Sequence, residues 1–129
     1  MSSLPPLTRE TIWAILTDTI DDATLNRLLW HYLGYRQNLT DGNWDTGAVV
    51  PEWRDEYPEP PDFIASRPAT VKLTRSIPAA HKQLLKEDLG FAGYKVSELV
   101  PRKTRRATAA NWLLSQLHAQ EPTAPEAEV

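Results

Sequence analysis

Eleven prolines against five glycines set the terms on which this chain folds. Proline fixes φ and gives up its backbone donor, so regular structure stops at it or starts just after it. Four prolines crowd into the stretch Pro51 to Pro61, and single ones stand at Pro78 and Pro101. They divide the chain into short periodic segments joined by long, stiff connections rather than tight repeated turns. The length, 129 residues, suits one domain, large enough to bury roughly two thirds of the surface its unfolded chain exposes. With 41% hydrophobic and 24% charged residues, a packed core is expected and general disorder is not.

Between the prolines the apolar spacing predicts helices. Thr8 reads as an N-cap, with Glu10 in the first turn and Ile12, Ile15, Leu16 and Ile20 following at helical intervals. Asp21 or Asp22 should cap a second helix, where Leu25, Leu28, Leu29, Tyr32 and Leu33 repeat and Gly34 ends the run. Tyr35 to Gln37 and Trp44 to Thr46 flank the turn signal Asp41-Gly42, which predicts a small hairpin. Pro51 to Pro61 reads as an extended or polyproline-like loop. Val71, Leu73 and Ile77 among Thr70, Lys72, Thr74 and Ser76 read as a half-buried strand. Pro78 opens a third helix lined by Leu84, Leu85 and Leu89 and closed by Gly90, and Phe91 to Val100 has room for another short strand. A last helix carries Ala110, Leu113, Leu114 and Leu117. The expectation is an α+β fold, one domain over residues 1–118, of about four helices and a two- to three-stranded antiparallel sheet. Residues 119–129, rich in Pro, Ala and Glu, are expected to form a disordered acidic tail.

Composition narrows the chemistry. The chain has no cysteine, which removes disulfides, thiol catalysis and thiolate metal sites. His31, His81 and His118 follow no metal-ligating spacing, so no metal and no cofactor are expected. Met1 to Pro6 lacks the charged and apolar regions of a signal peptide, and no apolar run approaches the ~18 residues needed to span a bilayer. A soluble, cytoplasmic protein without membrane insertion is expected. The net charge is −3, and three of its acids are Glu121, Glu126 and Glu128. Without them fourteen bases face fourteen acids, a neutral body that disfavours a general polyanion binder.

Local charge is another matter. Arg102, Lys103, Arg105 and Arg106 crowd the start of the last helix, where unpaired N–H groups already carry partial positive charge. Something negative should lie opposite them. The loop at 51–62, with Glu52, Asp55, Glu56, Glu59 and Asp62 around a single Arg54, balances those cations in number. The two segments either pair within the molecule, fixing the loop to the last helix, or one of them meets a ligand. Exposed, the four cations would form an anion site, since guanidiniums and helix N–H groups both select phosphate or carboxylate. Trp53, Asp55, Glu56 and Tyr57 combine aromatic bodies with charged rims, as partner-binding surfaces do, although tryptophan is also a good core filler. Asp18, Asp21 and Asp22, or Glu52 and Asp55, could pair as carboxylates for acid–base work, but capping already accounts for Asp21 and Asp22. No phosphate-binding glycine loop or nucleophile elbow is present.

Several long strings carry a resemblance. Pro51-Glu52-Trp53-Arg54-Asp55-Glu56-Tyr57-Pro58, the run Arg67 to Pro78, Leu89-Gly90-Phe91 with Gly93-Tyr94-Lys95, and Thr104 to Leu114 resemble a small family of cyanobacterial proteins of unknown function. The likeness spans about residues 4 to 117. The family brings no assigned activity and no catalytic residues. It implies the cytosol of an oxygenic phototroph and a role near photosynthesis, such as an assembly or regulatory factor. The leading reading is therefore a non-catalytic module that binds another protein. A nucleic-acid or phosphate binder using residues 102–106 is the first alternative, and a small enzyme with a carboxylate site the second.

Overall fold

The computed structural model describes residues 4–95, 97 and 100–120. Each helix begins and ends where local chemistry allows. In α1 (Arg9–Leu16) the Thr8 hydroxyl accepts from the Thr11 N–H at 3.2 Å, and Ile12, Ile15 and Leu16 turn inward. The helix stops short of Ile20 because Asp18 takes a left-handed conformation, φ +63°, which folds the chain back toward α2 (Asp22–Leu33). Asp21 caps α2, accepting from the Thr24 N–H at 2.8 Å. Gly34 closes it at φ +107°. A Cβ on Gly34 would lie 2.5 Å from the Ala48 carbonyl oxygen, so space and backbone both demand glycine.

The chain then makes the expected hairpin. Strands β1 (Arg36–Gln37) and β2 (Trp44–Asp45) pair antiparallel, Arg36 opposite Asp45 and Gln37 opposite Trp44. The rest differs in detail. Val50 to Arg54 does not stay extended: Pro51 starts a single turn of helix, α3 (Pro51–Arg54), because a first-turn proline has no intrahelical bond to lose. Residues 70–77 are not a strand. They belong to α4 (Arg67–Ser76), capped by the Ser66 hydroxyl on the Ala69 N–H and carrying Pro68 in its first turn. Its buried residues, Ala69, Thr70 and Leu73, follow helical spacing, with Ile77 continuing the line. The helix expected from Pro78 is broken into a 3₁₀ turn (Ala79–His81) and a short α5 (Leu84–Glu87), which Gly90 ends at φ +72°. Residues 91–95 form no strand; Val96, Glu98 and Leu99, also part of that reading, lie outside the described residues.

The last helix, α6 (Pro101–Gln120), is the axis of the fold and packs against α1, α2, α4 and α5. From Ala109 to Ser115 every residue is buried, so neighbours enclose this helix on all sides. Ala119 and Gln120, expected in the disordered tail at 119–129, instead close α6, and the rest of that stretch lies outside the described residues. Among the described residues the result is an α+β domain of six α-helices, most of them arranged around α6, with a two-stranded sheet at the edge.

The Pro-rich stretch is held to α2 rather than swinging free. Trp30 Nε1 donates to the Pro61 carbonyl at 2.6 Å. Asn26 donates to Asp62 and accepts from the Phe63 N–H, both at 2.9 Å. Tyr35 donates its hydroxyl to the Tyr57 carbonyl at 2.7 Å, and burial pushes that phenol up to about 12.

Candidate functional site

The four cations of the α6 start separate once α6 is built. Arg102 faces the corner between α1 and α2: two of its nitrogens reach the Asp18 carboxylate at 2.8 and 2.9 Å, and its Nε reaches Asp22 at 3.0 Å. Arg106, one turn later, is 1% exposed. It donates to Asp22 at 2.6 Å, to the Ile15 carbonyl at 3.1 Å and to the Ile20 carbonyl, and lies 3.5 Å from Asp18. The bond from Arg102 holds Asp18 below the usual carboxylate range, helped by the charge of Arg106. Lys103 stands over the Tyr94 ring at 5.3 Å. Arg105 points the other way and donates to the Ile64 carbonyl at 2.9 Å.

The positive cluster thus has its negative counterpart inside the molecule, but it is Asp18 and Asp22, not the acids at 52–62. An extended loop could not supply what the corner offers: two carboxylates and two backbone carbonyls converging on one guanidinium. The charged segment at 51–62 settles elsewhere. Glu56 pairs with Lys72 of α4 at 2.9 Å, and Asp55 approaches Arg54 at 3.7 Å. Trp53 is 5% exposed and packs on Phe63 and Tyr57, with the Lys72 ammonium 5.2 Å from its ring. Its indole is a core side chain; Asp55 and Glu56 remain at the surface, and Tyr57 is half-buried.

A second charged junction sits at the far end of α6. Arg9 makes two bonds to Asp88, at 2.8 and 2.9 Å, and His118 Nε2 meets the same carboxylate at 2.5 Å. Arg9 first, and His118 with it, lower the Asp88 pKa. The His81 and Ser115 side chains share a hydrogen bond at 2.7 Å beside them. Every polar group here already holds another, which is how structural junctions look.

Sequence reasoning passed over a different feature. Two connected hollows, about 370 and 410 Å³, run between α4 and α6 and share Thr74, Thr104 and Thr108. Arg67 and Arg105 stand at one end, Lys82 and Lys86 at the other, and no carboxylate lines either hollow among the described residues. A third hollow, about 580 Å³, lies across α4 toward α3, with Glu52 and Glu56 facing Arg67 and Arg75 over Trp53 and Val71. Arg67 and Arg75 make no hydrogen bond or ion pair among the described residues. The signal was present: Arg67, Thr70, Val71 and Thr74 fall at helical intervals. As a strand, 70–77 places Thr70 and Thr74 opposite Val71; as a helix it gathers them on one face.

Among the described residues, no helix is long and apolar enough to cross a membrane. The family model described as a domain of unknown function, DUF1823, matches residues 6–118. A solved structure, described as the solution NMR structure of the protein, shares 61% sequence identity and a TM-score of 0.79, covering 95% of this chain and 100% of its own. No curated protein matches.

Proposed function

For a chain that belongs to the DUF1823 family, a domain without assigned activity, we propose a non-catalytic module that binds another protein through the face built on α4. One observation carries this reading. Arg67 and Arg75 are exposed on α4 without internal partners among the described residues, while hollows with partly apolar linings flank the helix on both sides. Arg102 and Arg106, by contrast, already hold carboxylates, which is why the surface is drawn on α4 and not on residues 101–106. Glu56 borders the same face, with Trp53 as the buried support beneath; Asp55 and Tyr57, its chain neighbours, do not line the hollow there. Mixed charge around a partly apolar floor is the make-up of a protein interface. The carboxylates weighed for acid–base chemistry do not favour an enzyme: Asp18 is held ionised by its guanidinium, the opposite of what a proton donor needs. A cytoplasmic assembly or regulatory role beside photosynthesis, which the resemblance implies, belongs to the same proposal.

Affinity capture from a lysate of the source cells tests it, comparing the native chain with the R67E/R75E variant. A discrete protein recovered by the first and lost by the second, with circular dichroism unchanged, is the expected result. Identical recovery by both chains would overturn the assignment of the surface to α4.

A further inference from the structure

The groove between α4 and α6 has its charge at the two ends and none in the middle. Resting on the docking reading above, we infer that it receives an extended acidic segment of the partner protein. One carboxylate meets Arg67 and Arg105, a second meets Lys82 and Lys86, and small aliphatic side chains lie between them.

The chemistry of each part leads there. Arg67 stands seven positions before Thr74 on α4, whose carbonyl accepts from Lys82, so the two charged ends stand about 10 Å apart along the helix. Two carboxylates three positions apart on a polyproline-II-like extended chain fall on one face and span about the same distance, at roughly 3.1 Å per residue. Arg67 and Lys86 have no internal partner among the described residues, and Arg105 uses only Nη1, on the carbonyls of Ile64 and Ala65. A visiting carboxylate therefore displaces nothing. Toward the end that holds Lys82 and Lys86, Ile77, Ala107 and Phe91 supply apolar walls. The hydroxyls of Thr74 and Thr104 donate to the carbonyls of Thr70 and Val100, at 3.0 and 2.8 Å. Their protons are thus committed, and their lone pairs are left to accept from the N–H groups of an extended backbone. A nucleic acid would draw phosphates through the uncharged middle and offer no aliphatic side chains, so it fits worse.

The test is fluorescence anisotropy with a labelled peptide, Gly-Ser-Glu-Val-Val-Glu-Ser-Gly, titrated with the full chain. Saturable binding is expected. It should weaken about tenfold or more when both Glu are changed to Gln, and as much in the R67E/K86E variant, while R75E, on the other side of α4, leaves it unchanged. Amide chemical shifts should move at Thr74, Thr104 and Thr108. Equal binding of the Gln peptide, indifference to R67E/K86E, or shifts confined to another face would each sink the inference. Displacement of the peptide by a short oligoribonucleotide at lower concentration would do so in favour of nucleic acid. Markedly tighter peptide binding by the E121Q/E126Q/E128Q chain would do so in favour of the protein's own acidic tail. A partner captured through α4, together with a peptide that binds no better than its Gln form, refutes this inference and leaves the docking reading standing. Failed capture with a binding peptide does the reverse.

Discussion

At Arg106 a guanidinium occupies a core position, enclosed by the α1–α2 corner and satisfied by Asp22 and two carbonyls. Its methylenes pack while its nitrogens close off the end of α1 and the approach to α2. Removing only the charge leaves the Ile20 carbonyl unmet, the Ile15 carbonyl with the Asp18 N–H and Asp22 with Arg102 alone. Arg106→Met is therefore expected to cost about 3 kcal/mol, the scale for breaking one side of a buried ion pair. Urea unfolding followed by circular dichroism reads it, and a loss under about 1 kcal/mol would mean the corner holds by packing alone. The demand for an anion near residues 102–106 was legible from the crowding of like charge at a helix start. Which anion was not, because Asp18 reaches the cluster only through a left-handed turn, and an aspartate in that conformation leaves no mark in the sequence.

Among the elements, α4 separates what periodicity reveals from what it hides. Thr70, Val71, Thr74 and Ile77 are β-branched and bias a short window toward a strand. Ser66 followed by Pro68 is a helix opening, and with tertiary burial of Ala69, Thr70 and Leu73 it wins. Ser66→Ala is expected to lower stability by about 1 kcal/mol, read from the urea midpoint; a neutral substitution would mean that burial alone holds the first turn. By contrast α1, α2 and the hairpin were legible in advance, because Thr8, Asp21, Gly34 and Asp41-Gly42 place their ends by local chemistry that needs no tertiary context. The groove was not legible, since it exists only when α4 is a helix lying beside α6.

For the whole molecule, the two charged junctions work as a pair. α1 lies against α6 and is fastened at both ends: Arg9 to Asp88 and its neighbour His118 at one, Asp18 and Asp22 to Arg102 and Arg106 at the other. Asp18 and Asp88 both have pKa values lowered by folding from the ordinary 3.8. A carboxylate of that kind adds stability that is fully present above its unfolded value and is lost as the pH falls through its folded one. The D18N/D88N variant should therefore be less stable than the native chain at neutral pH, and the gap should close as both are titrated toward pH ~3. Denaturation midpoints across that range decide it, and a gap that stays constant would show that the two carboxylates act through shape and not charge.

The bond between Asp22 and Arg106 joins positions 84 apart, and this bears on how the protein is made. While translation proceeds, α1 and α2 leave the ribosome long before α6, and the sides they turn toward it stay uncovered until α6 itself emerges. A nascent chain stalled ahead of Pro101 is a ready client for holding chaperones and for proteases, and release from both waits on a single late helix.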